Sequence, residues 1–267
     1  MKGTLMIIGG AEDKTGDSVI LRQAPQMLGK NERLTVLTTA TEHPEETGRK
    51  YREVFERLGV ASVGVLDVPT RRDAGSPECC VRIRESRCVF MTGGDQLRLT
   101  SILGGTQAAA EIRALYEAGG IVMGTSAGAS VMSSTMVVQG GDNEPARKCT
   151  LKMAPGLGLI GGVIIDQHFD QRGRFGRLLC GVAENPETLG IGIDEDTSVK
   201  VYPDLHLEVI GTNAVTFIDG RSIQSSNVSE LRQNEILAIM GVTVHVLPQG
   251  YGYDLNNRKV LRLKDGE

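Results

Sequence analysis

The sequence has no apolar run of about 18 residues, the length that crosses a bilayer, and no charged leader ahead of an apolar stretch. Membrane spanning and export are therefore not expected. It also lacks an excess of either charge: 29 basic side chains face 33 acidic ones, for a formal net charge of -4. That balance supplies no cationic field for nucleic acid, so the expected partner is a small or locally charged molecule. Cysteine is sparse. Cys79, Cys80, Cys88, Cys149 and Cys180 are odd in number and lack the paired spacing of a zinc site or of a secreted disulfide framework. A reducing cytoplasm and thiols that serve packing are the expectation, since adjacent Cys79 and Cys80 on a helix would point to different sides and bridge poorly. The sequence shows no internal repeat, low-complexity tract or linker, which argues for a single domain over 1–267.

What is present is a chain of 267 residues, 40% hydrophobic and with 34 glycines, long enough to bury a core. Short apolar runs at Leu5–Ile8, Leu34–Thr38, Ser62–Val68, Cys88–Met91 and Ile121–Met123 alternate with amphipathic stretches, the rhythm of a parallel sheet with helical crossovers. One helix is expected to start at Pro44, to present Tyr51, Val54, Phe55 and Leu58 on one face, and to stop at Gly59. Others should start at Ser76-Pro77 and at Thr106, the latter ending at Gly119-Gly120. Two further strands are expected to end in Asp166 and in Asp194-Glu195-Asp196. Beyond them Thr197–Tyr202, Leu207–Ile210, Val215–Asp219, Thr243–Leu247 and Lys259–Leu263 read as antiparallel additions at the sheet edge. The expected fold is an α/β three-layer sandwich with a mostly parallel sheet.

Chemistry concentrates at Gly124-Thr125-Ser126-Ala127-Gly128. A strand-to-helix turn that lifts a serine hydroxyl is too tight for large neighbours, which is why small residues frame it. The apolar run before it and the helix-forming residues after it fit that geometry, although a plain glycine-rich turn is the structural alternative. Ala127 N–H is one expected oxyanion donor, at a helix start that favours developing negative charge. A serine needs a base. Of His43, His168, His206 and His245, only His168 falls at the carboxyl end of an expected strand, where open α/β sheets carry their sites. An acid should orient it, and Asp194, Glu195 and Asp196 stand together at another strand tip, where spacing does not choose among them. The chain order of serine, histidine, acid differs from that of the α/β-hydrolases. Gly94, in Thr92-Gly93-Gly94-Asp95-Gln96, is a second expected oxyanion donor and Gln96 a substrate contact, against a structural turn capped by Asp95. Arg172, Arg174 and Arg177 carry planar forks suited to carboxylates, or are ordinary solvated arginines. No cofactor or metal is expected.

Taken in combination and order, Gly9–Lys14, Thr92–Gln96, Gly124–Ala129, Asp166-Gln167-His168-Phe169 with the spaced arginines, and Gly192–Thr197 resemble the cyanophycinase family, serine peptidases grouped with aspartyl dipeptidase. The resemblance runs to about residue 200. It implies a flavodoxin-like sandwich related to class I glutamine amidotransferases, usually dimeric, with a triad on Ser126, His168 and Glu195, and substrate contacts at Gln96, Asp166, Gln167, Arg172, Arg174 and Arg177. It further implies hydrolysis of cyanophycin, a polyaspartate carrying arginine in isopeptide linkage, to β-aspartyl-arginine dipeptides. An α-aspartyl dipeptidase and a non-catalytic binding protein are the alternatives.

Overall fold

The computed structural model describes residues 2–148 and 151–263, so Cys149 lies outside the described residues. The first five strands, β1 (Thr4–Ile8), β2 (Arg33–Leu37), β3 (Ser62–Leu66), β4 (Cys88–Met91) and β5 (Ile121–Thr125), pair in parallel in the order β1-β5-β4-β2-β3. Their near-continuous apolar composition follows from burial on both faces. In β1, Leu5 and Ile7 join one core cluster and Met6 and Ile8 the other, as the two-residue period of a strand requires.

Helices α1 (Gln23–Met27), α2 (Pro44–Arg57), α3 (Pro77–Arg84), α4 (Gln96–Leu103), α5 (Gln107–Glu117), α6 (Ala127–Ser130) and α7 (Phe175–Glu184) cover the sheets. Helix α2 starts at its proline and buries Tyr51, Val54 and Phe55, where the Phe55 ring meets Phe90 edge-on at 5.2 Å. The Ser76 and Thr106 hydroxyls accept from the Cys79 and Ala109 amides and cap α3 and α5. Cys79, Cys80 and Cys88 are buried free thiols, and Cys180 is also buried. Burial pushes Cys79 up to about 11 and raises Cys88 as well, so neither is a thiolate near neutral pH.

The remaining strands are β6 (Thr135–Gln139), β7 (Lys152–Pro155), β8 (Val163–Gln167), β9 (Leu189–Ile193), β10 (Thr197–Val201), β11 (His206–Gly211), β12 (Ala214–Asp219), β13 (Ser225–Ser226), β14 (Ile239–Met240), β15 (Thr243–Pro248), β16 (Tyr251–Asp254) and β17 (Lys259–Arg262). Strands β10, β11, β16 and β17 extend the main sheet antiparallel beyond β1, giving nine strands. The expected edge additions at Val215–Asp219 and Thr243–Leu247 behave differently. As β12 and β15 they join β9 and β8 in a separate four-stranded sheet, order β15-β12-β9-β8, in which β8 and β9 are parallel. Both of its faces are used. Ile165, Ile191, Val215 and Phe217 pack into the same core as Leu5 and Ile7. On the opposite face Leu178 and Val182 of α7 lie against Gly190, where a Cβ would meet both. The hairpin of β6 and β7 brackets the polar stretch 140–148. One face of the main sheet is thus covered by helix, the other by helices and this second sheet.

Candidate active site

The tips of β5, β8 and β9 place the site. After β5 the chain turns at Ser126, whose backbone (φ 51°, ψ −111°) lies where few non-glycine residues sit. The turn is tight because Gly128 backs onto the Met91 backbone, so closely that a Cβ there would overlap it. Ser126 Oγ stands 3.0 Å from His168 Nε2. His168, itself at φ 47°, follows β8, and its Nδ1 is 2.6 Å from Glu195 Oε1. A carboxylate only accepts, so Nδ1 carries the proton toward Glu195 and Nε2 presents its lone pair to the serine hydroxyl. Gln167 Oε1 lies 3.3 Å from the same Oγ.

The three acids left open by spacing separate clearly in space. Asp194 turns inward and accepts the amides of Asp170 at 3.0 Å and Ala214 at 3.2 Å, with burial raising its carboxyl above the usual range. Asp196 accepts from the Asp13 amide and the Thr212 hydroxyl. Glu195 alone reaches the imidazole, and its own amide donates to Gln171 Oε1 at 2.9 Å. The other histidines lie elsewhere: His43 precedes α2, His206 pairs with Asp204, and His245 leans toward the Tyr253 ring.

The Gly93-Gly94 turn abuts the serine, since a Cβ on Gly93 would sit 3.4 Å from Ser126 Cβ. Among the described residues neither Gly94 N–H nor Ala127 N–H donates to a protein acceptor. Asp95 caps α4 by accepting from the Leu97 and Arg98 amides. Gln96 donates its side-chain amide to the Val137 and Val138 carbonyls, which leaves its oxygen as the remaining polar group.

The arginines divide into two kinds. Arg177 donates to both oxygens of Asp166, one bond being 2.7 Å from Nε to Oδ2. Arg174 donates to the Gln167 carbonyl at 2.6 Å and to Asp142 Oδ1 at 2.9 Å. Burial pushes the Arg174 guanidinium below its usual range despite these acidic neighbours. Side-chain exposures of 1%, 6% and 7% for Asp166, Arg174 and Arg177 mean that in this structure they meet each other, whereas the family resemblance implies substrate contacts. A buried fork must spend its donors on protein acceptors or lose hydration uncompensated. Arg172 is exposed and, among the described residues, has no side-chain partner. Asp142 was not singled out from the sequence, because it sits in an uninformative polar stretch. Its carboxylate is 40% exposed and is fixed through one oxygen by Arg174 and Arg177.

A family model described as Peptidase family S51 matches residues 5–210. This chain belongs to peptidase family S51. It is a peptidase of the serine type, and its resemblance to cyanophycinases extends well past residue 200. The cyanophycinase of Synechococcus elongatus is 38% identical over 261 residues, covering 97% of this chain and 81% of that protein. The cyanophycinase of Geminocystis herdmanii (strain PCC 6308) is 36% identical over 261 residues, 97% and 95% of the two chains. In fold, the chain is similar to a peptidase from an acI-B1 actinobacterium, with a TM-score of 0.67, 22% identity, and 96% and 98% of the two chains covered. It is also similar to a putative peptidase E protein of Listeria monocytogenes EGD-e, with a TM-score of 0.54, 16% identity, and 80% and 100% covered.

Proposed function

We propose that this peptidase hydrolyses cyanophycin to β-aspartyl-arginine dipeptides through an acyl-enzyme on Ser126. The observation that carries the reading is the hydrogen-bonded chain from Ser126 through His168 to Glu195, 3.0 Å and 2.6 Å long, with an exposed Arg172, without a side-chain partner among the described residues, and a half-exposed Asp142. Relatives named cyanophycinase at 36–38% identity support the choice of substrate.

In this mechanism Ser126 Oγ attacks the main-chain aspartyl carbonyl carbon while its proton passes to His168 Nε2. Gly94 and Ala127 N–H groups take the charge that develops on the carbonyl oxygen. His168 returns the proton to the leaving amine as the C–N bond breaks. Water then attacks the ester, its proton goes to His168 and on to the serine oxygen, and the acid product leaves. Glu195 holds the imidazole tautomer and offsets its transient charge. Each cyanophycin repeat carries a guanidinium and a carboxylate, so Arg172 suits the carboxylate and the free oxygen of Asp142 suits the guanidinium. Gln96 and Gln167 complete the contact set, with Asp166, Arg174 and Arg177 orienting Gln167 and Asp142. Within this reading the chain works in the cytoplasm as a homodimer. Among the described residues no helix is long and apolar enough to cross a membrane.

Incubating the full chain with cyanophycin and, separately, with α-aspartyl dipeptides tests the substrate. Turnover of the polymer with little action on the dipeptides is expected, and the reverse pattern would assign an aspartyl dipeptidase. A failure of Ser126 to react with a serine-directed phosphonate would point to a binding protein.

A further inference from the structure

We infer that the run Ile8–Asp13, the last residue of β1 and the loop after it, positions all three members of the Ser126-His168-Glu195 chain, and that Glu12 sets the reactivity of Ser126 by holding the Thr125 hydroxyl. This rests on Ser126 being the nucleophile. The backbone contacts converge on one short run. Ile8 carbonyl accepts the Ser126 amide at 3.0 Å, Gly9 carbonyl accepts the His168 amide at 2.8 Å, and Gly10 carbonyl accepts the Asp196 amide, beside Glu195, at 2.9 Å. Asp13 N–H donates back to Asp196 Oδ1 at 2.8 Å. Gly10, at φ +101°, lies so close to the imidazole that an added Cβ would overlap its ring. The bare backbone is the wall on which His168 rests.

Glu12 is the unusual member. It is only 3% exposed, and a buried carboxylate is retained only where donors surround it. Oε1 accepts from Tyr51 Oη at 2.5 Å and faces Lys14 Nζ at 3.0 Å. Oε2 accepts from Thr125 Oγ1 at 2.5 Å. Burial and the Glu12 charge together raise the Tyr51 phenol above its usual range, as expected of a hydroxyl committed to donating. Thr125 directly precedes Ser126, and a residue at φ 51° keeps that conformation only when its surroundings over-determine it. Glu12 ties the last residue of β5 to α2 on one side and to the His168 wall on the other. Loss of that tie should let Ser126 drift from His168 without touching Arg172 or Asp142.

The test uses the full chain and reads the rate of Ser126 phosphonylation, kcat, KM and the thermal midpoint. Thr125→Val should lower phosphonylation and kcat about tenfold or more at near wild-type KM, because small misplacements of a nucleophile are costly. Thr125→Ser, which keeps the hydroxyl, should restore most of the rate. Gly10→Ala, which leaves the Glu12 and Thr125 side chains unaltered, should lower the same two rates. Folded Thr125→Val or Gly10→Ala protein that labels at the wild-type rate overturns the inference, as does equal loss in Thr125→Val and Thr125→Ser. Wild-type protein that does not label at Ser126 overturns the nucleophile assignment, and the inference with it.

Discussion

Arg172 and Arg177 are five positions apart and chemically identical, yet their surroundings give them different tasks. Arg177 has its fork closed on Asp166 inside the protein, so Arg177→Ala strips the buried carboxylate of both fork hydrogen bonds and leaves it the more distant Arg174 Nη1 at 3.7 Å. A loss of about 3–5 kcal/mol is expected, seen as a lower denaturation midpoint before any effect on kinetics is considered. Arg172→Ala should leave the midpoint unchanged and raise KM for cyanophycin, and the same assay on both variants separates support from contact. Asp13 provides a pH signature in the positioning loop. Its carboxylate accepts from the Thr15, Gly16 and Ser18 amides, and these bonds, that to Gly16 first, hold it down at about 2. An acid with a depressed folded pKa stabilises above its unfolded value and loses that contribution as pH falls. The stability gap between wild type and Asp13→Asn should therefore be full above about pH 4 and shrink toward about pH 2. A gap that stays constant over that range would contradict the hold of the Asp13 carboxylate on these amides.

At the scale of elements, α4 joins stability to the site. Asp95 ends the Gly93-Gly94 turn and caps the helix, so Asp95→Ala should cost about 1 kcal/mol and lower kcat more than it changes KM. Unchanged kinetics would separate the turn from oxyanion binding. The elements legible in the sequence were those with local signatures: the apolar runs of β1 to β5, and α2, α3 and α5 with their Pro44, Ser76 and Thr106 starts. Strands β8 and β9 were also legible, but not that they leave the main sheet with β12 and β15. Pairing between residues as far apart as Leu189 and Asp219 is set by tertiary packing on two faces, which periodicity does not encode. The choice among Asp194, Glu195 and Asp196 was hidden for a related reason. All three lie in the turn between β9 and β10, where no strand period applies, and only the positions of Asp170, Ala214 and His168 reveal which acid faces what. Asp142 had no local signature at all, since its fixed carboxylate depends on Arg174 and Arg177 from another element.

At the scale of the molecule, the carboxyl ends of strands from two sheets meet at one place. The main sheet delivers Ser126 from β5 and the loop after β1, and the second sheet delivers His168 from β8 and Glu195 from β9. A peptidase assembled this way is sensitive to how the two sheets pack, through the shared core of Leu5, Ile7, Ile191 and Phe217. The most direct measurement is mass analysis of the products that the purified chain releases from cyanophycin, beside Ser126→Ala. The account predicts β-aspartyl-arginine dipeptides from the wild type and turnover at least about 10⁴-fold lower in a folded variant. Untouched polymer with the wild type, or near-normal release by Ser126→Ala, would contradict it.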